Sequence, residues 1–357
     1  YDTNVYQPIA AQMAQQAPLS KSIRVSNTPA TPLTLANGFQ GTASATTFGV
    51  AQDFKVGYAQ NWQLSAQRDL PGALQINAQY LGVKGTHALQ QILPNTYPNG
   101  AINPCPTCPS GFSFLTSNGN STRHSGQVTI RRRLRSGFSA ETTYTFAKAL
   151  DNASLGGAGF GGYLTAQNWR DLRAERGLSN FDQRHVISFQ TQYTSGLGAK
   201  GGTLMSGKSG ALLKDWTFTT NITAGTGFPL TPQLIATQAG TGATNTLRPD
   251  YTGADVYAAP NGLHLNPAAY RLPVSGTYGN AGRGSITGPS QFTMNSSVSR
   301  TFRVTDRYSA DLQINANNVL NHVNYTSWNT VTNSAQFGVP TSASQMRLVQ
   351  TTLRLRV

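Results

Sequence analysis

MRLVQTTLRLRV, residues 346–357, is the stretch whose reading decides the fold. Val349, Thr351, Leu353, Leu355 and Val357 share one face of an extended segment, and Gln350, Thr352, Arg354 and Arg356 share the other. An apolar face can meet another protein layer or lipid. A strand of about ten residues tilted about 45° crosses a bilayer's hydrocarbon core, so this segment is long enough for either.

The same alternation recurs upstream. Trp62, Leu64 and Ala66 alternate with Gln63, Ser65 and Gln67, and after the turn Leu70-Pro71-Gly72 the residues Leu74, Ile76, Ala78 and Tyr80 alternate with Gln75, Asn77 and Gln79. A long stretch from Lys84 to His124 follows. Val128, Ile130 and Arg132 then lead through Arg135-Ser136-Gly137 to Phe138, Ala140, Thr142, Tyr144 and Phe146. Further strands are marked by Ile187, Phe189 and Tyr193, by Trp216, Phe218 and Ile222, by Phe292, Met294, Val298 and Phe302, and by Tyr308, Ala310, Leu312 and Ile314. Long loops are read at 150–183 and 227–290, a middling glycine-rich connection at 195–214, and a turn at 304–306. Residues 1–56 show no sustained period and read as irregular loop, with a short helix near Ile9 to Gln16.

Short and long connections alternate, so all the short ones fall at one end of the strands. This is the rhythm of an outer-membrane barrel, with short periplasmic turns and long outer loops. The expected fold is all-β: an antiparallel up-and-down transmembrane β-barrel, here a partial barrel of about nine or ten strands over residues 57–357. Phe138, Tyr193, Trp216, Phe218, Phe302 and Tyr308 fall near the short-turn end, and Tyr80, Tyr144, Phe146 and Phe292 near the long-loop end. Two such belts suit headgroup depth. Arg132 and Arg300 sit on apolar faces near the periplasmic end, where a basic residue costs about 0–1 kcal/mol.

Composition agrees. The charged fraction is 11% and the hydrophobic fraction 38%, against about 25% charged in a typical soluble domain, so uncharged polar residues make up the difference. That suits a polar lumen, and equally a secreted soluble β-protein. The net charge of +14 favours anionic lipid headgroups or an anionic ligand; the aromatics follow strand alternation and form no nucleic-acid motif. No stretch of about 18 apolar residues exists. The chain opens at Tyr1 without a signal peptide and reads as a mature or truncated segment. Cys105 and Cys108, in a Cys-Pro-Thr-Cys-Pro run, are expected to form a small loop disulfide.

Several segments resemble the C-terminal barrel of the Oar-like group of TonB-dependent outer-membrane receptors, the carboxypeptidase-regulatory-like domain-containing family. They are YAQNWQLSAQRDLPGALQINAQYLGVKGTH (58–87), TIRRRLRSGFSAETTYTFAKALDNAS (129–154), DLRAERGLSNFDQRHVIS (171–188), LNPAAYRLPVSGTYGNAGRGSITGPS (265–290), NANNVLNHVNY (315–325) and the final strand. The resemblance implies a 22-stranded barrel, a plug domain, a regulatory-like β-sandwich ahead of the plug, and uptake of a bulky nutrient. Its partners would be outer-membrane lipid, the barrel assembly machinery, a TonB energy-coupling complex acting through a plug missing from this chain, and an unknown ligand. The place would be the cell outer membrane. Residues 1–56 hold no plug or energy-coupling box, and Val357 stands where such barrels usually end in an aromatic.

No catalytic set is present. His87, His124, His185, His264 and His322 are scattered without metal spacing, and no nucleophile elbow or phosphate loop precedes a helix. No cofactor is expected. Glu141, Asp311, Gln313, Asn315 and Arg354 are read as lumen-facing. Arg170, Asp171, Arg173, Glu175, Arg176, Asp182 and Arg184 form the richest polar cluster, read as a ligand or plug contact at the outer mouth or as an ion-paired loop folded on the rim. The functional expectation is part of a transporter; the alternative is a surface adhesion or ligand-binding protein without active transport.

Overall fold

The structure, a computed structural model, describes residues 7–16, 19–20, 23–24, 27–30, 32–38, 42–43, 48–97, 102–107, 112–153, 165–196, 210, 213–236, 241–242, 247–303 and 308–356. Its centre is an antiparallel sheet of β1 (Tyr58–Leu70), β2 (Leu74–Ile92), β3 (Ser113–Arg135), β4 (Phe138–Asp151), β5 (His185–Thr194), β6 (Thr217–Gly225), β7 (Gln291–Arg303), β8 (Ser309–Asn317) and β9 (Leu348–Arg356). Each strand pairs with its neighbours in sequence, and β1 and β9 are the two edges, so the sheet is an open up-and-down ribbon.

Register turns the local alternation into a surface. Leu64, Tyr80, Gly126 and Phe146 stand side by side across β1 to β4. Tyr193 stands between Phe138 and Phe218, and Phe218 continues through Val298 to Ile314. The rows between them, such as Ser65, Gln79, Gln127 and Thr145, are polar. A slip of one residue at any pairing would mix the two faces. Where β2 carries Gly82, the Trp62 ring lies over it so closely that a Cβ there would stand 2.1 Å from the ring. At the β3–β4 turn, Ser136 and Gly137 both have positive φ, 53° and 75°, as a two-residue type I′ hairpin requires.

The apolar face is bare. Leu64, Leu353 and Leu355 keep 73%, 63% and 73% of their surface exposed, and among the described residues no second sheet or helix covers them. A soluble sandwich would bury these side chains. The fully buried hydrophobics lie instead at the long-loop end: Leu265, Ala269, Tyr270, Ala281, Ile286 and Phe337 in one cluster, Phe48, Leu89 and Leu115 in a second, Leu234 and Leu247 in a third.

Two readings change. The stretch 84–124 is not mainly loop. β2 runs on to Ile92 and β3 begins at Ser113, with a bulge where His87 adopts φ 56°. Beyond Lys84 this extension is largely polar, with Gln90, Thr116 and Ser117 buried, so a one-sided apolar pattern could not announce it. The stretch 227–290 also carries short ladders, Pro229–Leu230 with Ile286–Thr287 and Asp250–Tyr251 with Tyr270–Arg271. The early part of the chain holds a helix, α1 (Gln7–Ala14), and a strand, Phe48–Val50, running parallel to the start of β3. Both Cys108 and the turn at 304–306 lie outside the described residues, as does most of 197–212.

Lipid contact gives a sharp expectation for two adjacent residues. Val128 points outward between Ala78 and Tyr144, and Gln127 points inward between Gln79 and Thr145. Val128→Lys should cost about 2–4 kcal/mol in a bilayer, as basic residues do near the midplane, and Gln127→Lys should be close to neutral. Urea unfolding from lipid vesicles, followed by the gel shift of the folded barrel, measures both; equal stability of the two variants would contradict a lipid-facing surface.

Candidate functional site: polar groove and loop platform

Toward the short-turn end the polar face of the ribbon holds a groove of about 980 Å³ whose lining includes Lys214, Asp215, Thr301, Asp311, Gln313, Arg354 and Arg356. Register across β7, β8 and β9 puts Thr301, Asp311, Gln313, Arg354 and Arg356 on that face. The Asp311 carboxylate accepts from the Thr301 hydroxyl at 2.7 Å and pairs with Arg356 at 2.9 Å. Gln313 donates to Asn315 at 3.0 Å, and Arg354 stands opposite Asp311. Four of the five residues read as lumen-facing are therefore neighbours. Glu141 is elsewhere on the same face, 3.6 Å from its cross-strand partner Arg131. These pairs are exposed to solvent, so each orients its side chains more than it stabilises the sheet.

At the other end the long loops interlock through two buried guanidinium groups. Arg248 forks onto Glu175, with Nη1 donating to Oε2 at 2.7 Å and Nη2 to Oε1 at 3.1 Å, and its Nε donates to the Ala281 carbonyl. Gln167 donates to the Gly279 carbonyl at 2.9 Å and accepts from the Arg248 amide. Arg283 donates to the Glu175 carbonyl at 2.7 Å and pairs with the Asp151 carboxylate. All four charged side chains are almost fully buried. Asp182, also buried, accepts from the Ala149 amide and lies 3.7 Å from Arg184. The loop after β4 and the loop after β6 are thus one body.

The polar cluster at 170–184 therefore divides. Glu175 and Asp182 face inward and are held by protein donors; they are not available to a ligand. Arg170, Asp171, Arg173 and Arg176 are exposed. Asp171 is engaged by the Arg173 amide at 3.1 Å, and the Arg170 guanidinium lies over Trp169, 5.4 Å from the ring centre. Arg248 and Arg283 are 73 and 132 residues from their carboxylate partners. A local reading of 170–184 could not find them.

Two phenols belong to the same platform. Burial pushes Tyr270 up from the usual phenol range to about 12. Burial also raises Tyr278, with a Thr96 hydrogen bond and the Arg170 charge opposing.

A sequence model of the outer membrane beta barrel domain matches residues 1–350. The chain belongs to this outer membrane beta barrel domain family. Its place is the outer membrane, where the bare apolar face meets lipid. No curated protein matches the chain. Among solved structures, it is similar to the outer membrane transporter YddB from Escherichia coli (12% identity, TM-score 0.46, 88% of this chain and 34% of that one). It is similar also to the FrpB iron transporter from Neisseria meningitidis (12%, 0.43, 87% and 32%) and to the ferric citrate transporter FecA (13%, 0.39, 84% and 31%). The chain thus spans about a third of the length of these solved structures.

The platform makes two predictions. Arg248→Met leaves the Glu175 carboxylate buried without its partner, which should cost about 3–5 kcal/mol; limited proteolysis should then cut within 165–182 and 247–284 while the strands stay intact. Tyr270 binds its proton more tightly folded than unfolded, so its contribution is complete below about pH 10 and is lost as the pH rises toward 12. Ultraviolet titration should show a phenol ionising late, and Tyr270→Phe should remove that step.

Proposed function

We propose that this barrel segment is part of a TonB-dependent outer-membrane transporter of the Oar-like group that takes up a bulky nutrient. The observation that carries the reading is the pairing of a hydrophilic inner wall with a rigid loop platform at the outer end. The inner wall carries amides such as Gln79, Gln127, Gln190, Asn221, Asn295 and Gln350, which offer donors and acceptors between its paired charges. Such a wall lets a polar solute exchange partners as it passes. The platform holds exposed Arg170, Arg173 and Arg176 at the outer mouth, where an incoming anionic or polar ligand meets them first. The protein performs no covalent chemistry in this reading.

The rest of the machine is supplied from outside the segment. Further strands close the barrel, a plug fills the lumen, a TonB complex drives the plug, and the assembly machinery inserts the whole. The groove at Asp311, Arg354 and Arg356 lies at the periplasmic end, where a plug would meet the wall.

The test uses cells that carry the full-length gene. Growth medium is profiled for solute depletion in wild-type and deletion strains, with and without a protonophore. Transport predicts depletion that is lost both on deletion and on collapse of the proton gradient. Surface binding without depletion in either strain would favour an adhesion or ligand-capture protein instead.

A further inference from the structure

A cleft of about 520 Å³ lies among the long loops and shares no residue with the polar groove. Its size is within the roughly 300–1,000 Å³ of small-molecule pockets. Five rings stand in its wall: Tyr257, His264, His322, Tyr325 and Trp328. Thr226, Thr287 and Ser290 add hydroxyls, and no Asp, Glu, Lys or Arg lines it. In a chain of net charge +14, that neutrality sets the cleft apart from the groove at Asp311, Arg354 and Arg356.

The rings are fixed by their surroundings. The Tyr257 hydroxyl accepts from the Thr287 amide at 2.7 Å, which pins the phenol while 49% of the residue stays exposed. The His264 amide donates to the Gly338 carbonyl at 3.0 Å. The His264 ring lies flat on the Trp328 indole, with 5.3 Å between centres and 6° between planes. Tyr325 is 5.9 Å from the same imidazole and 37% exposed. His322 is clamped by the Asn318 side chain, which accepts from its amide at 2.9 Å and donates to its carbonyl at 2.8 Å. One margin is close-packed backbone: a Cβ at Gly227 would stand 1.8 Å from the Gly288 carbonyl oxygen. The ring nitrogens of His264 and His322 have no hydrogen-bond partner among the described residues.

The cleft borders the outward side of the sheet. Phe292 is on the apolar face of β7, in register with Ala224 and Ile187, and the His322 ring meets it edge-on at 5.9 Å and 87°. Phe292 is ten residues along β7 from Phe302 at the short-turn end. At about 3.3 Å per residue and 45° tilt, ten residues rise about 23 Å, close to the roughly 25 Å apolar band of such barrels. The loops beyond Phe292 therefore stand clear of hydrocarbon. The cleft sits beside the barrel wall and not along the polar face that a transported solute would follow.

A pyranose ring has an apolar C–H face and an edge of hydroxyl groups. Fixed aromatic faces match the first. Imidazole nitrogens and the hydroxyls of threonine and serine match the second, with no charge to satisfy. An anionic ligand would find no countercharge. A quaternary ammonium would find rings, but one face of Trp328 is covered by His264, and the hydroxyl and imidazole donors would go unused. We propose that this cleft binds an uncharged hexopyranose unit of a glycan chain. The inference stands whether or not the barrel transports.

The test uses the full-length protein in detergent, titrated with maltohexaose, cellohexaose or mannohexaose, and with hexagalacturonate and choline as charged controls. Saturation-transfer NMR reads contact and isothermal titration reads affinity. The wild type should bind at least one neutral hexasaccharide and neither charged probe. Tyr325→Ala should weaken that binding about tenfold, the loss of one stacked ring, while keeping the gel shift of the folded barrel. Tyr325→Phe, which retains the ring, should bind as the wild type does. Absence of binding to all three neutral hexasaccharides would overturn the proposal. So would equal binding of hexagalacturonate or choline, unchanged affinity in folded Tyr325→Ala, or lost affinity in folded Tyr325→Phe. If Tyr325→Ala fails to fold, His264→Ala takes its place, and wild-type affinity there would equally overturn it.

Discussion

The backbone ladder between neighbouring strands is the interaction on which everything else rests. In hydrocarbon no water can satisfy an amide or a carbonyl, and each unmet group costs several kcal/mol. Pairing consecutive strands meets those groups from β2 to β8. Because side chains alternate with period two, the same ladder sorts them: once the register is set, residues such as Leu64, Ile76, Val128 and Leu353 fall together on the side facing the bilayer. Features as separate as the two sets of aromatics and the amide-rich polar face follow from one alignment. Trp62 lying over Gly82 shows how tightly neighbouring strands are fitted within it.

The sheet has no hydrophobic core of its own, and the molecule has moved its core to one end. Clusters around Leu265 and Phe337, around Leu115, and around Leu247 pack beneath loops, not between layers. Buried ion pairs tie the loop after β4 to the loop after β6, Arg248 with Glu175 and Arg283 with Asp151. Such pairs stabilise little relative to apolar packing, but they tolerate only one geometry. Their effect is to fix two long loops, distant in sequence, into one shape at one end of the sheet.

Much of this was legible in the sequence for a physical reason. Leu74, Ile76, Ala78 and Tyr80 alternate with polar neighbours because one side meets lipid and the other water, and that contrast is written at every second residue. The extension of β2 to Ile92 and the return of β3 from Ser113 were not legible, since above the bilayer both sides of the hairpin meet water or loops and the contrast vanishes. The division of the 170–184 cluster was hidden differently. Whether Glu175 faces a ligand or an arginine depends on Arg248, and nothing local to either residue records the other. Among the residues read as lumen-facing, Asp311, Gln313, Asn315 and Arg354 could be placed together because adjacent strands of a meander are adjacent in sequence.

The two margins of the ribbon carry a consequence of their own. Along Tyr58–Leu70 and Leu348–Arg356, half of the main-chain donors and acceptors point away from the sheet, with no further strand beside them among the described residues. Submerged in acyl chains, those rows would be unsustainable unless matched by further strands or by each other. The ribbon behaves as one side of a zip fastener, and insertion becomes inseparable from finding the complementary teeth.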